Sequence, residues 1–600
     1  MPPKARGGKH NGKPRNSKNS NSEFQSSGFK ITIPVVESET ENINQFVRYH
    51  SNLTLPEESI SIFKEVIPVK LRGKSLRLNC GRELLKWEPY TTSSSAGILT
   101  VKEGGNEVSY KAYQKTIPLI DPYHWMRFKE RPSTPFIWKY QKYDIIAPEN
   151  QGYVDCVASC LVSNLRKILK SPHFCDFYGA FRAVTDVFLY NLEEDLEDFR
   201  FTKWFWNGYE TGDFGLRVVS KQSGKELSKE EILKEFKPDD EFLHDDEDDD
   251  DDNNGGDDDD DNTAEKSSIS AQSLEFKGDT VEFETVDLKE VDILDTIPSH
   301  EDTITLHKRR NTTPNTIESM TTASDDIDFS EDYTIHAELY QMPVAIQYLE
   351  QCEGTMDLLI EMKEYSPILN SHHEEVWIAW LFQVCAACIQ LQNSMRLTHN
   401  DLHTCNVLWK KTDQEYLYYQ TSNGKMFKVP TYGKIFSIID YGRSIFAVNN
   451  FLIISSDYND GHDASGMYNF GPIEDPDMPR VLPNKSFDLC RLACSLLRGL
   501  YPKNPPEKPK GSILTQEGSW KFHETTSELF NLLWVWLRTK QKQSVLETEN
   551  GQEKYPGFNL YAVIAKDVMD AVPDQQISKT IFNPFLLKTK PDSVNWILIP

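Results

Sequence analysis

The sequence predicts a two-lobed α+β fold: a β-rich small lobe, a mainly α-helical large lobe, and a long acidic disordered insertion within the small lobe. Three stretches predict it. Strand-like sequence begins at Trp87 and turns at Glu103-Gly-Gly-Asn106, a two-glycine signal for a tight hairpin. Val376 to Met395 is apolar nearly all round, as a helix buried in a large domain is. After it come Leu397-Thr-His-Asn-Asp-Leu-His-Thr-Cys-Asn-Val-Leu-Trp409 and Ile438-Ile-Asp-Tyr-Gly442, each joining a polar loop to an apolar strand.

The 600 residues allow two to four domain-sized units, and 38% hydrophobic residues supply a sizeable core. The net charge of −27 is uneven, with much of it in the run Asp245 to Asp261. The acidic balance argues against a general nucleic-acid binder. Residues 1–28 are Lys, Arg, Asn, Ser and Gly with almost no apolar side chains, so they read as a disordered basic tail. Such an arm suits an acidic or nucleic-acid partner. Residues 29–84 form an N-terminal extension. The small lobe runs over 85–353, interrupted at 237–330 by acidic runs and a Ser/Thr-rich tract, and the large lobe over 354–600.

No secretory signal and no run of about eighteen apolar residues is present, so the expectation is an intracellular protein with no membrane contact. The ten cysteines then read as reduced thiols. Cys385 and Cys388 have metal-like spacing, but they lie in a helical pattern with no second Cys/His pair. They read as core thiols, as do Cys156 with Cys160 and Cys490 with Cys494.

Taken in order, Tyr90–Lys102 and Val108–Lys115 read as strands around the Gly-Gly turn. Glu149 to Leu169 is an amphipathic helix, and Phe174 to Leu192 a strand pair. Asp213-Phe-Gly215 has no apolar strand before it and receives no chemistry. Ile335–Tyr340 and Val344–Leu349 read as two strands, followed by a hinge and a helix start at Met356. Tyr416–Lys428 makes a hairpin about Asn423-Gly424. Ser486 to Leu497 is a buried helix, and 519–545 and 557–571 are further helices.

The chemistry rests on three side chains. Phosphoryl transfer needs a carboxylate aimed at the acceptor hydroxyl and oxygen ligands that hold magnesium against the phosphates. Asp401 can be the first; Asn406, five positions on, and Asp440 can be the second. A short loop brings Asp401 and Asn406 to one side of a cleft.

This order of motifs resembles that of eukaryotic-like protein kinases, and most closely that of kinase-like proteins of large DNA viruses. The residues behind the closer match are Thr398-His-Asn-Asp-Leu-His-Thr-Cys-Asn406, Tyr416-Leu-Tyr-Tyr419, Val429-Pro-Thr-Tyr-Gly-Lys-Ile-Phe436, Ile439-Asp-Tyr-Gly-Arg-Ser444 and Ser486-Phe-Asp-Leu-Cys-Arg-Leu492, with Thr116-Ile-Pro-Leu-Ile-Asp-Pro122. The resemblance implies a serine/threonine protein kinase that moves the γ-phosphate of ATP, with Mg²⁺, to a hydroxyl of a protein substrate, inside a host cell or virion. Asp401 would accept the acceptor's proton, Asn406 and Asp440 would hold Mg²⁺, and His399 would brace the site. Lys115, preferred to Lys111, would contact the phosphates, partnered by Glu149 or Asp155. Small residues at Ser94, Ser95 and Gly97 would let backbone N–H groups approach the phosphates. Backbone groups from Glu350 to Cys352 would meet the adenine edge, Asp357 would lie near the ribose, and Asp488 would brace the catalytic loop.

The chain departs from the family pattern in four places. Asn400 replaces an Arg that pairs with an activation-loop phosphate, and His403 replaces a phosphate-contacting Lys. The glycine-rich loop and the Ala-Pro-Glu motif are missing. A nucleotide-binding scaffold without catalysis and a small-molecule phosphotransferase are the alternatives these departures raise.

Overall fold

The computed structural model describes residues 46–47, 50, 52–54, 82–91, 94–127, 145, 147–193, 195–244, 332–448, 451–459 and 462–600. The basic tail, most of the N-terminal extension and the insertion from 245 to 331 lie outside the described residues. Residues 237–244, assigned from sequence to that insertion, are described, and His244 bridges Thr202.

The chain builds a mixed α+β structure with a curled antiparallel sheet. Its strands are β1 (Leu53–Thr54), β2 (Arg82–Pro89), β3 (Ala96–Glu103), β4 (Asn106–Pro118), β5 (Phe177–Asn191), β6 (Gly215–Ser220) and β7 (Tyr333–Glu350), in the order β1-β5-β7-β4-β3-β2, with β6 also on β7. Gly104 and Gly105 take φ of 58° and 90°, which closes β3 on β4 in a two-residue turn.

Two expectations about strands are corrected. The segment expected as a strand pair over Phe174–Leu192 is one long strand, Phe177–Asn191, whose partner is β7. The two strands expected at 335–349 are also one. Gln341 takes a φ of 52° there, yet β5 pairs with β7 on both sides of it, at Val187↔Tyr340 and Thr185↔Met342. Neighbouring strand pairing holds the segment together through a local bend.

Helix α1 (Gln151–Leu169) lies against this sheet. It starts two residues after Glu149 because Asn150 caps it, accepting from Gly152 N at 3.0 Å and donating to Leu119 O at 2.9 Å. Asp213-Phe-Gly215 joins α2 (Lys203–Thr211) to β6, with Phe214 packed on Phe205 and Tyr209.

The rest of the described chain, expected to be mainly helical, mixes helices with four small sheets around α3 (His372–Met395), which is buried on nearly every side. It is the one described helix long and apolar enough to cross a membrane, and 89% of its apolar window is buried within the protein. Cys385 and Cys388 are unpaired thiols on it, both buried. Beside it, β9 (Val407–Lys411) pairs antiparallel with β8 (Gly354–Thr355) and β12 (Lys434–Ile438), β10 (Tyr416–Thr421) with β11 (Met426–Pro430) around Gly424 at φ 85°, and β13 (Phe446–Val448) with β14 (Phe451–Ile453). Helix α4 (Phe487–Leu500) follows. The helix expected over 519–545 is instead the end of a hairpin, β15 (Ile513–Glu517) with β16 (Trp520–His523), and α5 (Glu528–Trp536). Gly518 at φ 58° turns the hairpin, and Ser527 caps the helix by accepting from Phe530 N. Helix α6 covers Asn559–Asp567.

His173 joins the two parts. Its carbonyl accepts from Ile438 N at 3.1 Å. Its ring is fully buried, with Nδ1 at 2.9 Å from Phe436 O and Nε2 at 2.8 Å from the Tyr419 hydroxyl. A carbonyl can only accept, so Nδ1 carries a proton. Burial lowers its pKa to about 4. Between about pH 4 and 6.5 the folded ring therefore binds fewer protons than the unfolded one, and stability rises with pH through that window. Acidification from pH 7 to 4 should remove up to roughly 3 kcal/mol at this site. Urea midpoints at pH 7 and pH 5 test it: His173→Gln should flatten the pH dependence, and an equal fall in both proteins would reject the assignment.

Candidate active site

The loop before β9 is held from below by Asp488, in the first turn of α4. Its Oδ1 accepts from His399 N and Asn400 N, both at 3.0 Å. Burial pushes the Asp488 carboxyl up, against the pull of His399 and these amides. The His399 ring reaches across to Ile439 O through Nε2 at 2.8 Å, and its Nδ1 accepts from Asp401 N at 3.3 Å. One imidazole thus ties the Asp401 turn to the end of β12.

Asn400 sits at φ 65°, a conformation Asn adopts more readily than longer side chains. Its amide donates to Arg443 O at 3.0 Å and accepts from the Tyr468 hydroxyl at 2.8 Å. The position expected to lack a phosphate-binding Arg is occupied by a fully buried structural amide. Arg443, on the segment after Gly442, supplies the cation instead. Its guanidinium lies 3.7 Å from Asp401, 3.4 Å from Asp457 and 3.7 Å from Asp463.

Asp401 has both oxygens near partners. Oδ1 accepts from the Tyr561 hydroxyl at 2.9 Å and Oδ2 faces Arg443. Burial raises the carboxyl's pKa, but Arg443, His403, Arg491 and Tyr561 outweigh it and hold the group well below the usual carboxylate range. Asn406 donates through Nδ2 to Asp401 O at 2.9 Å and contacts His403 Nε2 at 3.1 Å. A carbonyl partner requires the nitrogen on that side, so Oδ1 is the atom turned away from it. Ile439 N donates to Asn406 O at 3.1 Å, and Val407 pairs with Ile438. Strand register therefore sets Asn406 beside Ile439-Asp440.

Asp440 also takes a positive φ, 66°. Its Oδ1 lies 2.9 Å from Lys115 Nζ, and the same nitrogen lies 2.8 Å from Asp155 Oδ2. Burial disfavours the Lys115 cation and the Asp440 anion; the two carboxylates nonetheless hold Lys115 charged, and Lys115 lowers Asp440. Asp155 further accepts from Gln347 Nε2 and from Tyr441 N, each at 2.7 Å. Of the candidate lysines and carboxylates, Lys111 and Glu149 are exposed, whereas Lys115 and Asp155 are buried together. Asp155→Ala would leave Tyr441 N and Gln347 without their acceptor and Lys115 half-paired. A cost of about 3–5 kcal/mol in denaturant unfolding is expected; a cost below about 1 kcal/mol would mean the cluster does not hold the two parts together.

Not every expected residue joins this cluster. Ser94 turns its hydroxyl back on its own loop, bonding Ala96 N and O, and Ser95 O accepts from Gln114 N. Both lie at the hairpin tip. Gly97 lies within β3, where an added Cβ would stand 2.3 Å from Glu88 O, so strand packing is a sufficient reason for the glycine. The Glu350 N–H is engaged by Asp176 O and that of Gln351 by Lys111 O, so these two amides are already used within the protein. The Glu350 side chain is a structural anchor, paired with Arg166 and, at 3.0 Å, with Lys410. Asp357 accepts from the Thr404 hydroxyl at 2.7 Å, bracing the loop. Sequence reasoning passed over Arg443, Tyr561 and Gln347. Arg443 was signalled by its place directly after Ile439-Asp-Tyr-Gly442; the others carry no local pattern.

Among the described residues no three His, Cys, Asp or Glu side chains converge as a metal site. Asn406 and Asp440, set side by side by the strand register, are two hard oxygen donors of the kind that could hold magnesium. No protein-family model matches the chain, and no curated protein matches its sequence.

Proposed function

We propose that the chain is an ATP-dependent phosphotransferase of the protein-kinase type, acting on serine or threonine hydroxyls of a protein substrate. The observation that carries this reading is the buried Lys115 ammonium between Asp155 of α1 and Asp440 at the end of β12. These three residues come from separate parts of the sequence, and beside them Asp401 and Asn406 share one short loop.

In this reading Lys115 neutralises charge on the nucleotide's phosphates, oriented by Asp155. Asp401, kept ionised by its neighbours, accepts the proton of the acceptor hydroxyl. The acceptor oxygen bonds to the γ-phosphorus as the bond to the β–γ bridging oxygen breaks, and ADP leaves. Asn406 and Asp440 would hold Mg²⁺, which offsets the negative charge on the phosphates. His399 keeps Asp401 and Asp440 in one frame through Ile439 O.

The test is incubation with γ-labelled ATP and Mg²⁺ in the presence of casein, myelin basic protein or no added substrate. Label on serine or threonine supports the reading. Bound ATP with no labelled protein would move the weight to a scaffold, or, if a sugar or amino alcohol is labelled, to a small-molecule phosphotransferase.

A further inference from the structure

Tyr561 lies on α6, 160 residues beyond Asp401, yet its hydroxyl donates to Asp401 Oδ1 at 2.9 Å. Arg491 Nε donates to the Tyr561 oxygen at 2.9 Å, and its guanidinium lies 5.2 Å from the ring centre. Phe558 stacks on the ring at 5.5 Å, and Phe487 closes another side at 6.0 Å. Helix α6 is itself pinned: the Asn484 amide donates to Ile564 O, Ala565 O and Val568 O at 2.8–3.1 Å.

The direction of this chain of bonds is determined. Arginine has donors and no acceptor, so the Tyr561 oxygen must accept from Arg491. Its single proton is then committed to Asp401. A carboxylate oxygen carries more than one acceptor direction, so Oδ1 can take Tyr561 and an acceptor hydroxyl together. With Arg443 facing Oδ2 at 3.7 Å, the carboxylate is held from both ends.

We propose that Tyr561 is a positioning residue for Asp401, fixing the carboxylate for proton acceptance through an Arg491–Tyr561–Asp401 relay. This rests on the phosphotransferase reading. It assigns the helix after the main helical core a part in the active site.

Two measurements test it on the full chain. Tyr561→Phe removes only the hydroxyl. It should lower kcat about tenfold to a hundredfold, as loss of carboxylate orientation does, with KM for ATP unchanged within about twofold. Separately, 3-fluorotyrosine incorporated at position 561 gives a single fluorine signal whose pH titration reads the phenol. With Asp401 present it should titrate at least about one pH unit higher than in Asp401→Asn. Equal titrations would overturn the pairing, whatever the activity. A coupled fluorine signal with wild-type kcat in Tyr561→Phe would overturn the positioning role, as would phosphate recovered on Tyr561 itself, which would make it an acceptor. A coupled signal in a wild-type protein that transfers no phosphate would instead reject the phosphotransferase reading and leave the pairing standing.

Discussion

Asp401→Asn is expected to lower phosphoryl transfer by about 10²–10⁴-fold, with Mg-ATP affinity unchanged within about threefold. The asymmetry follows from where Asp401 sits. Its carboxylate is tied to Tyr561 and Arg443, on the side of α6 and the segment after Gly442, and it makes no contact with Lys115. An amide keeps the shape and can still accept from Tyr561, but it cannot take a proton from an alcohol. Arg443 keeps Asp457 and Asp463, so removal of one anion does not leave its charge unpaired. Single-turnover transfer measured beside calorimetric titration with Mg-ATP decides it. Loss of both quantities together would remove Asp401 from the acceptor side.

The second large effect is expected at Asp440, with the opposite signature. Asp440→Asn should weaken Mg-ATP binding at least about tenfold and raise the magnesium concentration needed for binding, because a neutral oxygen is a poorer ligand for a hard cation. The backbone is not the cause: Asn tolerates the φ of 66° as well as Asp does. Nor is Lys115 stranded, since Asp155 remains 2.8 Å away. ATP titrations across a magnesium series read the effect. Unchanged metal dependence would exclude Asp440 as a ligand and leave it as a partner of Lys115 alone. The two variants together separate the acceptor side of the cleft from the phosphate side.

Much of the local structure was legible because it depends on short-range physics. Gly104-Gly105 and Asn423-Gly424 announce turns through their freedom at positive φ, and both hairpins form. The length and apolarity of 376–395 announce a buried helix. Asp401, Asn406 and Asp440 were legible because they stand at strand ends, where a loop must leave an apolar run. The merging of two expected strands into β7 was not legible, since the pairing that carries the chain past Gln341 comes from β5, more than a hundred residues earlier. The 519–545 region misled for a similar reason: an apolar aromatic run suits a helix or a hairpin, and packing selects between them.

The sequence by itself determined the mixed α+β class and the order of the motifs, because spacing along a chain constrains what a loop can present. Only the tertiary structure decided which lysine and which carboxylate meet. Local sequence favoured Lys115 over Lys111 only by its place before Thr116-Ile-Pro118, and it left Asp155 and Glu149 open. What separates them is burial: a cation and an anion removed from water must be paired, and only Lys115, Asp155 and Asp440 lie close enough to do so. The same holds for Tyr561, which reaches Asp401 because α6 folds back across the loop, a contact with no trace in local spacing.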